Sequence, residues 1–85
     1  MTWTVYELAN DAERELYVAV TSAELIEEMR RNRSRPPRAI AHWPLEPRKT
    51  LTVLDVFADA EEASAAVHRR RVEAMAEGWR LLTQA

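Results

Sequence analysis

The chain has 85 residues, 47% of them hydrophobic and 31% charged, with a formal charge of −2. That is room for one core, is too apolar for a disordered tail, and offers no apolar run near the ~20 residues a membrane span needs. There is no cysteine, which excludes disulfides and thiolate metal sites, and the two histidines, His42 and His68, show no zinc spacing.

The first residues, Met1-Thr2-Trp3-Thr4-Val5-Tyr6, carry neither a basic n-region nor a long apolar h-region, so a cytoplasmic protein without membrane contact is expected. Residues 2–8 and 15–20 are rich in β-branched and aromatic types and read as strands. The polar stretch 10–13 between them reads as a turn, so the two strands form an antiparallel hairpin. A turn centred on Asp11 and Ala12 sets Tyr6 opposite Tyr17, with Val5 and Val18 on the other face. Thr21, followed three residues later by Glu24, is a capping-box pattern, and Leu25, Ile26 and Met29 recur at helical spacing over 22–32. Pro36 and Pro37 end that helix. Residues 39–43 fit either one helical turn or a short extended piece, closed by Pro44 and Pro47. Residues 50–57 are the clearest strand. Asp59, with Glu62 three residues on, caps a long helix whose apolar face reads Ala63, Ala66, Val67, Val72, Met75 and Trp79. It ends near Gly78, with room for a last turn to Leu82. Gly78 is the one glycine, so Gly-rich phosphate loops are excluded. The expected fold is α+β: a small three-stranded antiparallel sheet in the order hairpin, helix, short helical segment, strand, long helix, with the helices on one face.

The charge is unevenly placed. Residues 1–28 carry seven acids and one base, net −6; residues 29–49 carry seven bases and one acid, net +6; residues 50–85 carry four bases and six acids, net −2. Eleven of the twelve bases are arginine, which suits bidentate phosphate contact and equally follows from a GC-rich genome. No nucleophile–base–acid set is visible: Ser22, Ser34 and Ser64 fall near a cap, in a loop or on a helix. Glu61 and Glu62 suit the positive end of a helix dipole, and Glu27 and Glu28 suit ion pairs with Arg30 and Arg31.

Two tyrosines on one face of a hairpin are first of all cross-strand packing, though a phenol beside a cation can also serve as a base or nucleophile. Thr4-Val5-Tyr6, followed eleven residues later by Tyr17-Val18-Ala19, resembles the signature of the GIY-YIG nuclease superfamily, with Thr4 and Ala19 in place of the motif glycines. The element order matches too, over roughly residues 3–80. The resemblance implies a phosphate-binding arginine on the first helix, but Glu27 or Glu28 stands there, with Arg30 and Arg31 about one turn later. It also implies a metal-binding glutamate on the long helix, where Val67 or His68 stands. The chain thus resembles a degenerate member without nuclease activity and without a cofactor.

Three functions remain open to test. The first is nucleic-acid (DNA) binding by the basic segment: Arg30, Arg31, Arg33, Arg35, Arg38, Arg48 and Lys49 tracking phosphates, with His42 and Trp43 meeting bases. His68 to Arg71 on the long helix extends that surface. The second is a protein-interaction module, a phage-type regulator or inhibitor, or a homodimer that adds buried area to a small core. The third is a Mg²⁺-dependent endonuclease with rearranged ligands, using Tyr6, Tyr17 and Arg30 on phosphate and Glu28 or Glu73 as carboxylate.

Overall fold

The structure, a computed structural model, describes residues 2–22, 24–34, 40–43 and 50–82. The elements run β1 (Trp3–Asn10), β2 (Glu15–Thr21), α1 (Leu25–Ser34), β3 (Thr50–Phe57), α2 (Ala60–Ala76) and β4 (Arg80–Leu81). The chain is a small α+β protein built on one four-stranded mixed sheet in the order β3-β1-β2-β4. The expected three strands are present and antiparallel, with β1 central. The fourth strand is a correction. Gly78 adopts φ +92°, a left-handed turn that a residue with a Cβ enters at a cost. The chain therefore reverses instead of adding a helical turn, and Arg80–Leu81 lies parallel to β2. The amides of Arg80 and Leu82 donate to the carbonyls of Arg14 and Leu16 at 2.7 and 2.9 Å.

Strand alternation splits the apolar residues between two faces. Val5, Ala9, Leu16 and Val18 pack with Ala63, Val67 and Ala74 of α2. Tyr6, Leu8 and Tyr17 pack with Ile40 and Trp43, flanked by Leu25 and Met29 of α1. The helices thus cover opposite faces of the sheet, not one face as the element order suggested. On α2 the inward stripe is narrower than the sequence pattern: Val72 and Met75 are exposed, and small alanines allow the close approach to the strands. Asp59 caps α2 as expected, its carboxylate accepting from the amide of Glu61 at 3.1 Å. The capping-box pattern at Thr21 does not mark the first turn of α1. Thr21 stays in β2, paired with Thr4, and the helix begins at Leu25.

The hairpin register also differs from expectation. The turn spans residues 11–14, so Tyr6 lies opposite Ala19 and Leu8 opposite Tyr17. Arg14 closes the turn with a left-handed φ of 55°. Its Nη2 donates to the carbonyl of Glu77 at 3.0 Å, and its guanidinium lies 4.3 Å from the centre of the Trp79 ring. Contacts with the end of α2 therefore favour a four-residue turn over the two-residue turn of a tight hairpin. Among the described residues, no helix is long and apolar enough to cross a membrane.

Candidate functional site

Tyr6 and Tyr17 share the face that carries α1, one diagonal step apart instead of directly opposed. Both are buried, at 1% and 6% exposure. The Tyr6 hydroxyl donates to Glu28 Oε2 at 3.1 Å and accepts from Asn32 Nδ2 at 3.4 Å. Glu28 and Asn32 are one helical turn apart on α1, so both reach the same phenol. Burial pushes the Tyr6 hydroxyl far above the ordinary tyrosine range, and the Glu28 carboxylate adds to it against the opposing Asn32 bond. Tyr17 is raised as well, by burial and by Glu28, with Arg71 pulling the other way. Tyr6 is thus a protonated donor to a carboxylate, the reverse of a general base. Arg30 is not part of this group: its Nη1 pairs with Glu27 Oε1 at 3.0 Å on the solvent side of α1.

The segment 40–43 forms one turn, closed by the Trp43 amide donating to the Ile40 carbonyl at 3.0 Å. Its anchor is Glu15, a buried strand carboxylate. Trp43 Nε1 donates to Glu15 Oε1 at 2.8 Å, His42 Nε2 lies 3.2 Å from the same oxygen, and Arg80 Nη1 reaches Oε2 at 3.2 Å. Burial alone would raise the Glu15 carboxyl, but the bonds from Trp43 and His42, with Arg80 behind them, hold it below the usual range. Trp43 is therefore a core residue with 6% exposure, and its ring, expected to stack on a base, is packed against Ile40 and the strands. His42 keeps more than half of its side chain in solvent.

Of the other basic residues expected to meet phosphate, Arg31 is exposed on α1. Arg33 lies in α1, and its side chain is not described; Arg35, Arg38, Arg48 and Lys49 lie outside the described residues. On α2, Arg70 Nε binds Glu7 Oε1 at 2.7 Å, and its Nη1 binds Glu77 at 3.2 Å. The hydrogen bond to Glu7 raises Arg70 above the usual arginine value despite its burial. Arg71 Nη2 donates to the Val18 carbonyl at 3.0 Å. These two arginines are structural partners of the sheet, whereas His68 and Arg69 are exposed.

A divalent cation does not fit the place the resemblance assigns to it. Val67 is an apolar side chain of the α2 core, and His68 is one exposed nitrogen donor followed by three arginines. α2 also packs on the face of the sheet away from Tyr6 and Tyr17. Glu73, the other carboxylate considered, lines an open groove of about 430 Å³ between β3 and α2, together with Val5, Leu54, Phe57, Asp55 and Arg69.

Sequence reasoning missed the two buried acids. Glu7 and Glu15 each occupy an inward position in an otherwise apolar strand alternation, and that was the available signal: a charge there needs a partner. It does not say which one. Glu7 turned out to need Arg70, sixty-three residues away, and Glu15 the turn at 40–43. No protein-family model, curated protein or solved structure matches this chain.

Proposed function

We propose that this chain is a non-catalytic, GIY-YIG-like protein that binds nucleic acid through residues 30–49. The observation that carries the reading is the Tyr6–Glu28 hydrogen bond at 3.1 Å. A carboxylate there does two things. It ties up the phenolic proton, and it repels a phosphate from the tyrosine face, since like charges at close range destabilise each other by kcal/mol amounts. A polyanion is thereby left to the region of net +6 that begins at Arg30. Arg30 and Arg31 project from the solvent side of α1, and His42 is an accessible ring on the anchored turn of the same segment. The contacts are electrostatic and sequence-tolerant, as expected for arginines on a helix and a loop with no recognition helix among the described elements.

The test is fluorescence anisotropy of labelled single- and double-stranded DNA across a salt series. Binding is expected at low salt, with log K falling linearly against log salt, and Arg31→Glu weakens it while circular dichroism stays unchanged. No anisotropy change at low salt with folded protein refutes the reading. Incubation of supercoiled plasmid with Mg²⁺ or Mn²⁺ tests the catalytic half: cleavage that Tyr6→Phe abolishes would overturn it.

A further inference from the structure

The two edges of the sheet are finished differently. On the β2 side, β4 pairs with Glu15 and Leu16, and Arg71 occupies the Val18 carbonyl beyond them. On the other side, β3 is an outer strand of eight residues, and among the described residues no strand pairs with its far edge. It carries few of the usual guards over its first half. An exposed edge is ordinarily blunted by lysine, proline or inward charge, yet Thr-Leu-Thr-Val-Leu-Asp-Val-Phe holds a single charged residue, Asp55. Leu51, Val53, Leu54 and Val56 are all exposed, Val53 at 47% and Val56 at 51%. A register shift opposite Val5 and Tyr6 leaves Leu54 out of the ladder, so the regular stretch is 50–53.

We propose that β3 pairs antiparallel with β3 of a second copy of this chain, about a two-fold axis at Thr52, making one continuous eight-stranded sheet. The inference concerns a different surface from the basic segment and does not depend on nucleic-acid binding. Parity and charge select both the occupant and the register. Residues directly opposite must lie on the same face. Leu51 and Val53 share the α1 face, through their partners Leu8 and Tyr6, and Thr52 shares the α2 face with Glu7. A centre at Thr52 sets Leu51 against Val53 of the other copy and Thr52 against Thr52, matching faces and apolar character. A centre at Val53 would set Asp55 against Leu51. A centre at Leu51 would set apolar Val53 against the position of Lys49, a charged residue. With the centre at Thr52, Asp55 comes alongside the start of the other copy's strand, where the sequence changes to Arg48-Lys49. The edge is thus complementary to itself in charge as well as in shape, the condition for an isologous contact.

The absence of cysteine makes the register directly readable. The full chain is first run in sedimentation velocity over a concentration series. Thr52→Cys and Val56→Cys are then oxidised mildly and separated on non-reducing gels. In the proposed pairing the two Thr52 Cα atoms sit about 4.5–5.5 Å apart, within disulfide reach, and the two Val56 positions roughly 27 Å apart. The expected result is a dimer in which Thr52→Cys cross-links and Val56→Cys does not. Val53→Lys, folded by circular dichroism, should weaken dimerisation about tenfold or more, because the change enters a two-fold interface twice. A monomer at every soluble concentration overturns the proposal and leaves the edge to a strand from a different protein. A dimer that Thr52→Cys fails to cross-link overturns it too. The cysteine readout stands even if Val53→Lys does not fold.

Discussion

Replacing Glu15 by glutamine removes one charge and changes almost no volume, so its effect isolates what the buried carboxylate does. Glu15 keeps 6% of its side chain exposed and accepts from Trp43 at 2.8 Å and from Arg80 at 3.2 Å, with His42 Nε2 at 3.2 Å. A charge-assisted bond is about twice as strong as a neutral one, so the Trp43 bond loses about 1 kcal/mol. Arg80 is three-quarters exposed, and solvent screening limits its pair to about 0.5–1 kcal/mol. In Glu15→Gln an amide N–H also faces that guanidinium in place of an acceptor. The variant should therefore lose about 2 kcal/mol at pH 7, or about 8–16 °C in Tm for a chain of this size. Urea denaturation followed by tryptophan fluorescence measures it, with exposed Glu13→Gln as a control expected to stay within about 0.5 kcal/mol. The pH dependence is a second check. The folded carboxyl titrates below its unfolded value, so ionised Glu15 stabilises the fold above about pH 4.3, and that contribution disappears as pH falls through the folded value. Wild type and variant should converge on acidification. A variant as stable as wild type at pH 7, or a difference that persists undiminished in acid, would refute the argument that Glu15 anchors the 40–43 turn.

Two further predictions concern the tyrosines and the turn after α2. Tyr6 and Tyr17 are the two tyrosines of the chain, and burial raises both hydroxyls. Absorbance at 295 nm should thus show no phenolate in the folded protein near pH 10. The stability contributed by burying the neutral hydroxyls is fully present below the unfolded value and is lost as pH rises through the higher folded value, so ionisation should coincide with alkaline unfolding. An early step at pH 10 that Tyr6→Phe removes would refute the burial of that hydroxyl. For Gly78→Ala the added Cβ would meet, among the described residues, only Arg14 Nη2 at an ordinary 3.8 Å, so the cost comes from the backbone at φ +92° and should be about 1–2 kcal/mol by chemical denaturation. No loss would mean that the turn relaxes without breaking β4.

Local sequence was enough for most of the elements. Strand 50–57 begins and ends where its β-branched run does, and Asp59 caps the following helix because its carboxylate needs only the next turn's amide. Such features involve neighbours in the chain, whose spacing the sequence states.

What the sequence could not decide depends on residues far apart. Arg14 meets Trp79 and the end of α2, and that contact favours the four-residue turn that slides Tyr6 from Tyr17 to Ala19. Reading Trp43 as a base-stacking residue followed from its basic neighbours; its burial follows from Glu15, twenty-eight residues away. Helical spacing alone made Val72 and Met75 look like core, and strand alternation could not tell which edge would be left open. By itself, then, the sequence determined the kinds of elements, the capped helix and the polarised charge. Tertiary structure decided the hairpin register, the fourth strand, the partners of the buried acids and the outer place of β3 in the sheet. Each of these depends on long-range contacts whose free energy exceeds a local preference of about 1 kcal/mol or less, and no local pattern encodes the partner.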